Sequence, residues 1–139
     1  MASFPTPSPP PERFKTGAAQ RVLIVADPPP LLARMTEVVK ALPGLQLAGA
    51  FSTTADLVDW TVWDRGGWHY AFVDLALPDN GAAEVVQRLL SQPRPGTVVA
   101  LGAHLWKEIR SECAKMGVFH LLEKGDLIAF QGFLEEQLR

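Results

Sequence analysis

After residue 20, apolar runs and amphipathic runs alternate five times along the chain. The apolar runs cover 21–26, 45–51, 70–75, 96–101 and 118–122. They are short and nearly continuous in apolar residues, the pattern of strands buried on both faces. Between them the spacing changes to three and four residues. Leu31, Met35, Val38, Val39 and Leu42 form one apolar stripe and predict a helix over 31–42. Pro28-Pro29-Pro30 leads into it, where a missing N–H costs nothing, and Pro43-Gly44 ends it. Further helices are predicted from Ser52-Thr53-Thr54 to about residue 64, closed by Gly66-Gly67, and over 82–90, ending before Pro93. The last two are expected over 104–116, with Gly117 as C-terminal cap, and from 126 to the end.

Five strand-then-helix units with short connections predict an α/β fold: a parallel five-stranded sheet, doubly wound, with helices on both faces. The flavodoxin-like order 2-1-3-4-5 suits five units in this length and sets strands one and three side by side at the switch point, where such folds bind ligands. At 139 residues one domain is expected, spanning 21–139. Residues 1–20 are set apart by composition. Five of the twelve prolines lie before residue 12, and this stretch is expected to be a disordered, solvated tail.

Composition narrows the function mainly by exclusion. A net charge of -2 gives no reason to expect affinity for nucleic acid or membrane surfaces. No apolar stretch approaches the roughly 20 residues that span a bilayer. With no basic segment before an apolar core at the N-terminus, a cytoplasmic protein is expected. The single cysteine, Cys113, excludes an internal disulfide and is expected to pack rather than react. His69, His104 and His120 lack metal-ligand spacing and are expected at the surface or at strand edges.

Candidate chemistry sits at strand ends. Asp27 follows the first apolar run, Asp74 follows Tyr70-Ala71-Phe72-Val73 within the third, and Lys124 stands just past the fifth. In a parallel sheet these ends share one edge, so two carboxylates and an ammonium converge on one crevice. Two neighbouring carboxylates repel unless a cation lies between them, and Mg²⁺ is the hard, oxygen-seeking candidate. A metal and a lysine around a carboxylate suit phosphoryl transfer, with aspartyl phosphate as the covalent product. Plain alternatives exist for each residue: a turn residue for Asp74, a helix cap for Asp27, a solvated loop lysine for Lys124. No glycine-rich phosphate loop follows strand one, which weakens a nucleotide-binding enzyme or hydrolase reading.

Over residues 20–139 the sequence resembles the receiver domain of two-component response regulators. The resemblance rests on Val22-Leu23-Ile24-Val25-Ala26-Asp27 followed by proline, on Val73-Asp74-Leu75-Ala76-Leu77-Pro78-Asp79, and on Gly117-Val118-Phe119-His120-Leu121-Leu122-Glu123-Lys124. The segment Val98-Val99-Ala100-Leu101-Gly102-Ala103-His104 falls at the family's fourth strand. The resemblance implies Asp74 as phosphoacceptor, Asp27 and the Ala76 carbonyl as Mg²⁺ ligands, and Lys124 as the lysine contacting the phosphoryl group. It implies a signalling module rather than an enzyme. Its partners would be a histidine kinase or phosphotransfer protein upstream and a bound protein downstream. A homodimer through the fourth helix, fifth strand and fifth helix is a further possibility it raises.

Four positions depart from the family pattern. Ala26 stands where a second acid is usual, Gly102 where a Ser or Thr hydroxyl is usual, and Leu121 where the fifth strand carries an aromatic. The glycine after Pro78 comes one residue early, at Gly81. These departures predict weak metal binding and a weak switch. They also support the alternative of a pseudo-receiver, a phosphorylation-independent interaction module. Among the tryptophans, Trp106 is expected to open the fourth helix and face a partner, with Phe130 or Phe133 extending that surface.

Overall fold

A computed structural model of the protein describes residues 19–63 and 67–139. The elements are β1 (Gln20–Val25), α1 (Pro29–Ala41), β2 (Leu45–Phe51), α2 (Thr54–Trp63), β3 (Tyr70–Asp74), α3 (Ala82–Leu90), β4 (Thr97–Gly102), α4 (Lys107–Lys115), β5 (His120–Glu123) and α5 (Leu127–Gln137). The five strands form one parallel sheet in the order β2-β1-β3-β4-β5, as the sequence pattern predicts. The expected tail and the closing Gly66 of the second helix lie outside the described residues, apart from the last two positions of the tail.

Side chains alternate across the sheet because successive strand residues point to opposite faces. Val22, Ile24 and Ala26 of the first βα unit go to one face, with Phe72, Val99 and Leu101. There they meet Met35 and Val39 of α1 and Phe130 and Leu134 of α5. Leu23, Val25, Ala71, Val73, Val98 and Ala100 go to the other face. They are covered by Leu57 of α2, by Val85, Val86 and Leu89 of α3, and by Cys113 of α4. The central strands are buried on both faces, which is why they read as unbroken apolar runs. β1 and β2 fall out of step between Val22 and Leu23, so Ala48 is the extra residue of a bulge.

Three expectations need correction. The fourth helix begins at Lys107, not at residue 104. Trp106 is its N-cap residue, with extended backbone (φ −72°, ψ 164°), and His104 and Trp106 stack ring on ring in the preceding loop at 5.0 Å. Phe130 does not belong to any surface. It is 2% exposed and sits edge-to-face on Phe72 at 4.8 Å. Phe133 is half-buried against Tyr70 and Phe72 on the same side of the sheet. Phe119, read as part of the fifth strand, precedes β5 and is exposed.

Other details follow from local chemistry. The Asp126 side chain caps α5 by accepting from Ala129 N–H at 2.9 Å, and Thr53 Oγ1 caps α2 by accepting from Asp56 N–H at 3.2 Å. Gly117 ends the segment after α4 with φ +91°, a left-handed backbone that glycine adopts without penalty. Cys113 is buried, and its thiol is raised above its ordinary value by desolvation, with the Glu112 charge adding to it. A thiol held in that state packs and is a poor nucleophile. Of the tryptophans, Trp68 is buried and donates from Nε1 to Gln92 Oε1 at 2.6 Å, and Trp60 packs on Phe51. Trp63 and Trp106 stay exposed.

Candidate functional site

Parallel topology brings the C-terminal ends of β1, β3 and β5 to one edge, and the three polar residues that follow the apolar runs meet there. Asp74 is fully buried. Its Oδ2 accepts from the Asp27 backbone N–H at 3.1 Å and pairs with Lys124 Nζ at 2.8 Å. Its Oδ1 accepts from the Ala76 N–H at 2.8 Å. Burying a carboxylate is costly unless it is paired and hydrogen-bonded, and Asp74 has both kinds of support. β4 lies between β3 and β5 and joins the two sides of the site. Leu75 N–H donates to Leu101 O at 2.9 Å, and Lys124 N–H donates to Gly102 O at 2.8 Å. These bonds fix the backbone on either side of the ion pair.

Asp27 sits at the rim, half-buried. Its backbone is anchored to Asp74, and its carboxylate has no hydrogen-bond or ion-pair partner among the described residues. An unpaired carboxylate next to a buried one is an oxygen-only donor set of the kind Mg²⁺ takes, completed by carbonyl oxygens and water. The residues therefore fit the ion, with Asp27, Asp74 and the Ala76 carbonyl as the groups that would hold it. The set is sparse. No group of three His, Cys, Asp or Glu side chains placed for a metal occurs among the described residues, and Ala26 is a buried core residue that adds no charge.

The segment after Asp74 is locked to α2 by contacts the sequence did not disclose. Asp79 Oδ1 accepts from Thr54 Oγ1 at 2.9 Å and from Gly81 N–H at 3.3 Å, while Oδ2 accepts from Thr54 N–H at 3.1 Å. One carboxylate thus binds the first N–H of α2 and the turn before α3. The Thr54 hydroxyl is the main cause of an Asp79 carboxyl held below its ordinary value. The sign follows directly. This contribution to stability is present above the ordinary carboxylate range and is lost as pH falls through the lowered value. The early glycine has its reason here, because a Cβ on Gly81 would overlap Thr54 Oγ1 and approach Thr54 Cβ to 2.7 Å. Gly81→Ala is expected to cost about 1–3 kcal/mol in chemical denaturation, the range for overpacking a filled site. The pair spans 25 residues, and no local signal announces it.

Gly102 and Leu121 occupy the positions where the resemblance expects a hydroxyl and an aromatic. Gly102 is buried with no side chain to offer, and Leu121 is half-buried against the α2-α3-α4 core.

No family model matches the sequence, and no curated protein matches it either. Solved structures do match the fold. A CheY-like response regulator receiver domain from Methylobacillus flagellatus superposes with a TM-score of 0.66 at 26% identity, over 88% of this chain and 100% of that one. The response regulator domain of CheB from Thermotoga maritima gives 0.72 at 16% identity, over 87% and 94%. The receiver domain of a sensor histidine kinase from Pseudomonas aeruginosa gives 0.67 at 21% identity, over 87% and 95%, and that structure holds a magnesium ion in its active site cleft. The architecture of this chain is that of the receiver fold.

Proposed function

We propose that this chain is a receiver domain, spanning 21–139, that accepts a phosphoryl group on Asp74 in a Mg²⁺-dependent step and signals by binding a protein partner. The observation that carries this reading is the ion pair between fully buried Asp74 and Lys124, with Asp27 alongside, at the sheet edge where the fold binds ligands. In the transfer, an Asp74 oxygen attacks phosphorus, and the bond from phosphorus to the donor's leaving group breaks. Lys124 is placed to neutralise a phosphoryl oxygen, exchanging its carboxylate partner for one. The backbone N–H groups of Ala76 and Asp27 hold the carboxylate in a fixed orientation. Bound Mg²⁺ supplies further charge neutralisation.

The donor in this reading is a histidine kinase or phosphotransfer protein, and the chain itself is an acceptor rather than an enzyme. Trp106, 64% exposed and stacked on His104 in the loop between β4 and α4, is the aromatic best placed to meet a partner or a second copy through α4, β5 and α5. No helix among the described residues is long and apolar enough to cross a membrane, which agrees with a cytoplasmic setting. The alternative, a phosphorylation-independent interaction module, is favoured by one feature. Gly102 has no side chain with which to sense a phosphoryl group.

Mg²⁺ titration with amide NMR tests the site. The amides of Asp27, Asp74 and Ala76 are expected to shift only at millimolar Mg²⁺, since a shell with one carboxylate fewer attracts a dication less. Flat signals up to tens of millimolar, on the scale of weak oxygen-ligand sites, would contradict the acidic-pocket assignment.

A further inference from the structure

The loop that carries the exposed His104–Trp106 stack has one half-buried side chain, Leu105. Its Cδ2 lies 3.3 Å from where a Cβ on Gly102 would stand, and Leu75 Cδ1 lies 3.4 Å from the same point. Leu105 and Leu75 therefore close over the space that a side chain at 102 would fill. Leu75 follows Asp74 directly and packs on the α2-α3-α4 core. The loop is further held by Arg110 Nε, which donates to Leu105 O at 3.3 Å, and by Arg110 N–H, which donates to Trp106 O at 3.0 Å.

We propose that Leu105 is an apolar latch, seated over Gly102 with Leu75 near the same point, that keeps the His104–Trp106 surface presented whether or not Asp74 carries a phosphoryl group. A ligand shifts a conformational equilibrium only as far as it interacts differently with the two states. The methyl groups of Leu105 and Leu75 do not respond to charge gained at Asp74, and Gly102 has no side-chain donor to offer a phosphoryl oxygen. The loop thus has a reason to stay in place and none to follow the chemistry next to it. This deepens the receiver reading, and rests on it for the comparison of the two phosphorylation states.

The test uses the full chain labelled for NMR, following the Trp106 indole N–H together with the backbone amides of Asp27 and Ala76. On addition of Mg²⁺ and beryllofluoride, the amides of Asp27 and Ala76 should move and the Trp106 indole should not. In Leu105→Ala the Trp106 indole should already shift in the unmodified protein. Gly102→Ser provides a second variant, since its added atoms press on Leu105 and should displace the same signal. An indole that moves with Ala76 in the wild-type chain overturns the latch. So does an indole unchanged in both variants. If the Asp27 and Ala76 amides stay still, the receiver reading fails, and the two variants still decide the latch.

Discussion

Phe130→Ala should lower stability by about 3–5 kcal/mol, the range for removing a buried aromatic ring. Phe130 lies between α5 and the sheet, 2% exposed, with its ring 4.8 Å from Phe72 and nearly perpendicular to it. The loss has two parts: apolar area returned to water, and a cavity that the α1 and α5 contacts on that face cannot collapse to fill. Trp106→Ala is the matched control. At 64% exposed, Trp106 should change stability by no more than about 0.5 kcal/mol. Urea denaturation of both variants reads the difference. A Phe130 variant as stable as the Trp106 variant would mean that α5 does not pack on the sheet as described.

The second large effect is expected at the ion pair. Lys124→Ala removes a charged donor from a carboxylate with no access to water. A hydrogen bond to a charged group is worth roughly 1.5–3 kcal/mol. Lys124 is itself 22% exposed, so solvent screening places the expected loss toward the lower end of that range. The Asp27 and Ala76 N–H groups remain, which keeps Asp74 from being stranded. A double-mutant cycle with Asp74→Asn isolates the pair. The double variant should lose less than the sum of the two single variants, because the second change removes the charge that the first left unpaired. Strict additivity would show that Lys124 and Asp74 do not interact in solution.

The sequence foretold the parallel sheet because β1, β3 and β4 are buried on both faces and so cannot alternate apolar with polar residues. It foretold the meeting of Asp27, Asp74 and Lys124 for a related reason. In a parallel sheet every strand's C-terminal end faces one edge, so residues far apart in the chain need no pairwise signal to be placed together. α5 was harder to orient. Leu127, Phe130 and Leu134 share the inward stripe, while Ile128, equally apolar, is 86% exposed. Composition alone does not separate them, although the three- and four-residue spacing does. At the start of α4, helical spacing continues back through Trp106, whereas the stack of His104 and Trp106 and the seat of Leu105 favour an extended loop. The Asp79–Thr54 lock was illegible for another reason. Each residue has an ordinary local role, in a turn and at a helix start, and only the folded loop brings them together.

On the proposed reading, the departures at Gly102 and Leu121 bear on the switch, and the one at Ala26 bears on the metal rather than on the ion pair. Asp74, its backbone donors and Lys124 form a complete local unit without them. On the proposed reading, such a chain accepts a phosphoryl group and yet reports it poorly.

Acceptance of the phosphoryl group is therefore the claim to measure first, by incubating the full chain with acetyl phosphate and Mg²⁺ and recording its intact mass. A Mg²⁺-dependent increase equal to one phosphoryl group is expected, absent in Asp74→Asn. A folded wild-type chain that gains no mass, or an increase that survives in Asp74→Asn, would contradict it.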